Sequence, residues 1–139
     1  MALVMTVEEL TAFLQRDFAQ VAADFVIGDV TETGLEVRLR VDQRHLRPGG
    51  TVSGPSMFAL ADVAMYLAIL ARIGPVALAV TINCAIDFMR KPLAGHDLIA
   101  RARVLKLGRM LAVGDVLIWS EGAADPVARA GLTYAIPPK

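Results

Sequence analysis

Cys84 is the only cysteine among 139 residues, so no disulfide can form within the chain and no cluster of thiolates can hold a metal. A reducing, cytoplasmic setting is the expectation. The two histidines, His45 and His96, make no HxxxH or HExxH pair, which removes the usual zinc patterns. No metal and no cofactor are therefore expected. Charge of one sign is missing too: 14 basic residues balance 14 acidic ones, leaving no positive field to attract nucleic acid or an anionic membrane. Gly49-Gly50 form neither a dinucleotide fingerprint nor a phosphate loop. The N-terminal MALVMTVEEL has no basic segment ahead of its short apolar run and meets acids at once, unlike a signal peptide. The most apolar stretch, 57–80, is broken by Asp62, Arg72 and Gly74-Pro75 before it reaches the ~20 residues of a membrane span. Burial inside protein explains it better.

Apolar residues make up 55% of the chain and charged ones 20%, enough for one well-cored domain over 1–139 with surface left for partner subunits to cover. Thr6-Val7-Glu8-Glu9 can form a capping box, and Leu10, Phe13, Leu14, Phe18 and Val21 fall on one side of a helix, predicting one from about 6 to 22. From Thr33 the period changes to two. Leu35, Val37, Leu39 and Val41 alternate with Glu36, Arg38 and Arg40 as a half-buried strand, alone or in a pair. Pro55 suits the first helical position, with Ser53 or Gly54 as cap, and a helix apolar on every face should then run from about 55 to 72. Four strand-like segments follow, Val76 to Met89, Asp97 to Leu107, Met110 to Ser120 and Pro126 to Ile136, the last three expected as antiparallel neighbours. The order predicts an α+β domain.

Asp62 is the residue this pattern does not explain. It lies about two turns inside the central helix, too far in to cap the free amides at the start. Phe58, Ala59, Met65 and Tyr66 sit one turn away and imply poorly hydrated surroundings, where a carboxylate is a better proton acceptor or nucleophile than in water. Pairing with an arginine or an amide at a subunit boundary is the plainer alternative. Amides around Ser53, Gly54 and Ser56 stand at a helix N-terminus, suited to holding a carbonyl oxygen as it gains charge. His45 is either a substrate-orienting group or an ordinary turn histidine. Asn83, or Thr81, either lines a pocket or belongs to a solvated polar strand face; Cys84 reads as a core thiol. Arg90-Lys91 ahead of Pro92 offers either phosphate donors or simple surface charge.

Gly54, Leu60-Ala61-Asp62, Phe88-Met89-Arg90-Lys91-Pro92 and Val127-Ala128-Arg129-Ala130-Gly131 together resemble the hotdog-fold acyl-CoA thioesterases of the phenylacetic-acid-degradation type, over about 33–136. The resemblance implies a curved antiparallel sheet wrapped around the central helix, paired into a homodimer and commonly a homotetramer, with sites between subunits. It implies Asp62 as base or nucleophile, Gly54 as oxyanion donor, and Arg90 and Lys91 on the phosphates of coenzyme A, which enters as part of the substrate. Ser53, Ser56 and Tyr66 would adjoin the substrate. That family commonly carries HGG at the helix entry and an asparagine upstream; this chain has Ser53-Gly54-Pro55 and Arg47 there. Two roles are open to Arg47, binding an acid on the substrate or neutralising Asp62. The expected activity is hydrolysis of an acyl-CoA thioester; a noncatalytic acyl-CoA or aromatic-acid binding module, or an oligomeric structural protein, is the alternative.

Overall fold

The computed structural model describes residues 2–138. The first helix, α1 (Val7–Asp17), is closed by the expected capping box: the Glu9 amide donates to Thr6 Oγ1 and the Thr6 amide to Glu9 Oε1. Leu10, Phe13 and Leu14 form its buried face. It does not continue to residue 22. Phe18 leaves the helical region at φ −139° and ψ 45°, and a separate single turn, α2 (Ala19–Ala22), follows. The Phe18 ring docks edge-on against Tyr66, with centroids 6.3 Å apart, and this tertiary contact outweighs the local preference to continue.

A strand pair comes next, β1 (Phe25–Val30) and β2 (Gly34–Leu39). In β2 the predicted alternation holds, with Leu35, Val37 and Leu39 buried. The central helix α3 (Gly54–Ile73) starts at Ser53, whose Oγ accepts from the Ser56 amide at 3.3 Å, and stops at Gly74, whose φ of +94° favours glycine. Pro55 is the second helical residue, one place later than predicted. In length and composition α3 could cross a membrane, but 72% of its most apolar window is buried inside the protein. It is a core helix.

The remaining strands are β3 (Val80–Phe88), β4 (Leu98–Leu107), β5 (Leu111–Ser120) and β6 (Ala128–Ala135). All six form one antiparallel sheet in the order β1-β2-β4-β5-β6-β3. The last three are neighbours, as predicted, while β3 crosses to the far edge beside β6. Leu98, Ala100, Ala102 and Val104 of β4 and Val116 and Ile118 of β5 pack toward α3, whereas Arg101 and Arg103 face out.

Arg72, which interrupts the apolar run near the end of α3, is buried and pairs with no carboxylate among the described residues. Its guanidinium donates to Ala68 O at 2.6 Å, Thr31 O at 2.7 Å and Glu32 O at 3.1 Å. Burial lowers its pKa, and the carbonyls at the helix end supply the compensating negative pole. The helix C-terminus is thereby tied to the β1–β2 turn.

Candidate active site

The inward face of α3 aims Asp62 at the junction of β3 and β6. Thr81 of β3 donates its hydroxyl to Asp62 Oδ1 at 2.5 Å, and Tyr134 of β6 donates to the same oxygen at 2.6 Å, with a second contact to the Asp62 carbonyl at 3.0 Å. The surroundings of the carboxylate are therefore not purely apolar, as the helix neighbours alone imply. No cation pairs with it among the described residues. Among the described residues Oδ2 accepts no hydrogen bond, and no side-chain polar atom is both buried and unpartnered, so Oδ2 is not fully buried; Asp62 is half-buried and lines a cavity.

That cavity, of about 620 Å³, lies between α2, α3 and the strand ends, walled by Phe18, Val21, Leu39, Val63 and Tyr66 with Asp62 on one side. Burial pushes the Tyr134 phenol well above its ordinary range, and the Asp62 charge adds to this, so the phenol keeps its proton and remains a donor. Burial likewise raises Tyr66, whose hydroxyl donates to Ala77 O at 2.9 Å. The Cys84 thiol is also pushed up, by burial first and then by Asp62, which keeps it a thiol rather than a nucleophile.

His45 lines the cavity but is neither exposed nor free. Its Nδ1 accepts the Asp42 amide at 2.9 Å, closing a short 3-10 turn (Gln43–His45), and its Nε2 faces Asp24 Oδ2 at 3.4 Å. Burial, helped by Arg44, lowers its pKa against the opposing pull of Asp42. It holds the loop ahead of α3. His96 lies in an exposed turn, 3.0 Å from Glu121 O.

Gly54 belongs to a different depression, of about 440 Å³, together with Arg47, Phe88, Arg90 and Lys91. None of these three cations is in an ion pair among the described residues; Arg90 donates to Pro126 O. At the helix start, the Ser56 amide goes to Ser53 Oγ and the Met57 amide to Ser53 O, and Pro55 has none. The Gly54 amide has no acceptor among the described residues. Asp62 lies eight positions after Gly54 on the helix, about 12 Å along the axis. A single chain does not bring the two onto the same reacting atom.

Residues 49–126 match the family description Thioesterase superfamily, more than half of the chain. The chain belongs to the thioesterase superfamily. A crystal structure from Silicibacter sp. TM1040, provisionally named a thioesterase, is 56% identical over 99% of this chain and 96% of that one, with a TM-score of 0.94. A single-residue mutant of the phenylacetic acid degradation protein PaaI from Thermus thermophilus is 31% identical, covering 86% of this chain and 99% of that one, with a TM-score of 0.73. A protein of Pseudomonas aeruginosa, provisionally named an esterase, is 34% identical over 86 residues, 62% of this chain. The chain spans 64% of that curated relative's length. The six-stranded sheet wrapped on α3 is the hotdog fold of these thioesterase-superfamily structures.

Within this thioesterase-superfamily domain the expected site residues divide into two groups. Asp62, Ser56, Tyr66 and His45 line the larger cavity; Gly54, Arg47, Arg90 and Lys91 line the smaller depression, and Ser53 is the helix cap between them. Arg47 is exposed and makes no ion pair with Asp62 among the described residues. Asn83 is exposed and lies outside both spaces, because the ladder between β3 and β6 shifts register between Thr81 and Asn83. That irregularity turns Thr81 and then Cys84 inward and Asn83 outward. Tyr134 escaped the sequence reading. Its signal was the inward phase of β6, where Ala128, Ala130 and Leu132 are followed by one polar-tipped residue.

Proposed function

We propose that this protein hydrolyses an acyl-CoA thioester to a free acid and coenzyme A. Thioester hydrolysis is the chemistry that superfamily membership supports; the acyl-CoA substrate rests on the two spaces around α3. The observation that carries the reading is Asp62: a carboxylate with no cation paired to it among the described residues, held by two hydroxyls, with one oxygen toward a largely apolar cavity. The cavity suits the acyl group, and Arg47, Arg90 and Lys91 suit the phosphates, to which arginine offers a planar fork and lysine a mobile charge.

The separation of about 12 Å between Gly54 and Asp62 favours an active site shared by two protomers. β3 is an edge strand with Val80, Ile82 and Phe88 exposed, a surface that pairing with a second copy would cover. A homodimer, and a homotetramer built from it, would set Gly54 of the partner subunit opposite Asp62. Two routes fit. In one, Asp62 Oδ2 takes a proton from water, the water oxygen bonds to the carbonyl carbon, and the Gly54 amide holds the oxygen that gains charge. The C–S bond then breaks and the departing thiolate takes the proton. In the other, Oδ2 itself bonds to the carbonyl carbon as the thiolate leaves, and water cleaves the resulting anhydride.

The test is thiol release from short, long and aromatic acyl-CoAs by the wild type and by Asp62→Asn. Turnover of at least one substrate, lost by orders of magnitude in the assembled variant, is expected. Ligand binding without thiol release by the wild type would favour a binding module instead.

A further inference from the structure

The two hydroxyls on Asp62 do not share its oxygens evenly. Both converge on Oδ1, from strands on opposite sides of their own ladder, at 2.5 Å from Thr81 and 2.6 Å from Tyr134. The phenol also touches the Asp62 carbonyl at 3.0 Å, so a single side chain spans the backbone and the carboxylate of the same residue. Its ring has little freedom: Tyr134 is 2% exposed and stacks on Tyr66 at 6.1 Å and 29°, and Tyr66 is in turn fixed to Ala77 O. A carboxylate so held cannot rotate to exchange its two oxygens without breaking both hydroxyl bonds.

We infer that Tyr134 is a positioning residue for the reaction: with Thr81 it saturates Asp62 Oδ1 and fixes Oδ2 as the one oxygen that meets the substrate or its attacking water. This rests on the thioesterase reading of Asp62 given above. Tyr134 borders the cavity but is 2% exposed, and its hydroxyl is engaged by Asp62. Its effect is to hold the reacting oxygen in one orientation, so its loss lowers the rate of the bound complex rather than the affinity for substrate. Serine at position 81 preserves the second donor, whereas valine preserves the shape of threonine and removes it.

The experiment measures kcat, KM and melting temperature for the wild type, Tyr134→Phe, Thr81→Val, Thr81→Ser and Asp62→Asn, using whichever acyl-CoA the wild type turns over best. Tyr134→Phe, folded, is expected to lose about tenfold in kcat, equivalent to about 1.4 kcal/mol, with KM within about twofold. Thr81→Val should lose kcat similarly and Thr81→Ser should keep it. A Tyr134→Phe enzyme with kcat within about twofold of wild type would overturn the inference, as would a rise in KM alone. Equal losses in Thr81→Ser and Thr81→Val would assign the effect to packing and overturn it too. Full activity in Asp62→Asn refutes the thioesterase assignment of Asp62 itself, a different failure from the others.

Discussion

Arg72→Met removes the three donors that tie the end of α3 to the β1–β2 turn while keeping an unbranched apolar stem in the same space. The carbonyls of Ala68, Thr31 and Glu32 each lose a charge-assisted partner. Thr31 and Glu32 are exposed, so water can reach their carbonyls, and methionine also avoids the cost of burying a guanidinium. At about 1 kcal/mol for each bond lost, the net destabilisation is about 3 kcal/mol. Unfolding entropy of about 2.1 cal/mol/K per residue converts this to a fall in Tm of about 10 °C for a domain of this size. Arg72→Lys keeps the charge but lacks the fork, and should fall between. Differential scanning calorimetry at constant protein concentration measures both, since self-association would otherwise shift Tm. A Tm within about 2 °C of wild type for Arg72→Met would refute the claim that this clamp carries the junction.

Gly54→Ala separates backbone strain from ligand approach: its φ is not positive, and an added Cβ would lie 3.3 Å from Phe88 Cζ, a half-exposed ring able to give way. Its Tm should stay within a few degrees while thiol release falls at least tenfold; unchanged turnover would mean that no ligand approaches the backbone there. Because burial holds His45 below its ordinary pKa of about 6.5, the unfolded chain binds that proton more readily. Stability from this group is full above about pH 6.5 and declines as the pH falls below it. His45→Asn, which can still accept the Asp42 amide, should lose less Tm than wild type between pH 7.5 and 5.5; equal losses would contradict this.

Punctuation made α3 legible. Ser53, Pro55 and Gly74-Pro75 mark its ends locally, and the two-residue period of β2 and β4 needed no knowledge of their neighbours. The break at Phe18 was not legible, since its cause is the ring of Tyr66, distant in sequence. β1 was obscured by Gly28 and Asp29, which interrupt its apolar pattern. The pairing of β3 with β6 is a long-range choice of the sheet, and the partners of Asp62 depend on it: Thr81 and Tyr134 meet the carboxylate only once those strands are side by side. Asn83 was misplaced by a register shift that no spacing announces. Gly54 and Asp62 share a helix, and its rise keeps them about 12 Å apart within one chain, a separation already readable from their spacing once the helix is placed.

In the proposed reaction the free oxygen of Asp62 performs the chemistry of a thioester hydrolase. Free thiol release from a panel of acyl-CoAs, compared between the wild type and an Asp62→Asn variant of unchanged assembly state, tests it most directly. A loss of at least a hundredfold in kcat for the best substrate is expected. Wild-type turnover by Asp62→Asn would contradict it.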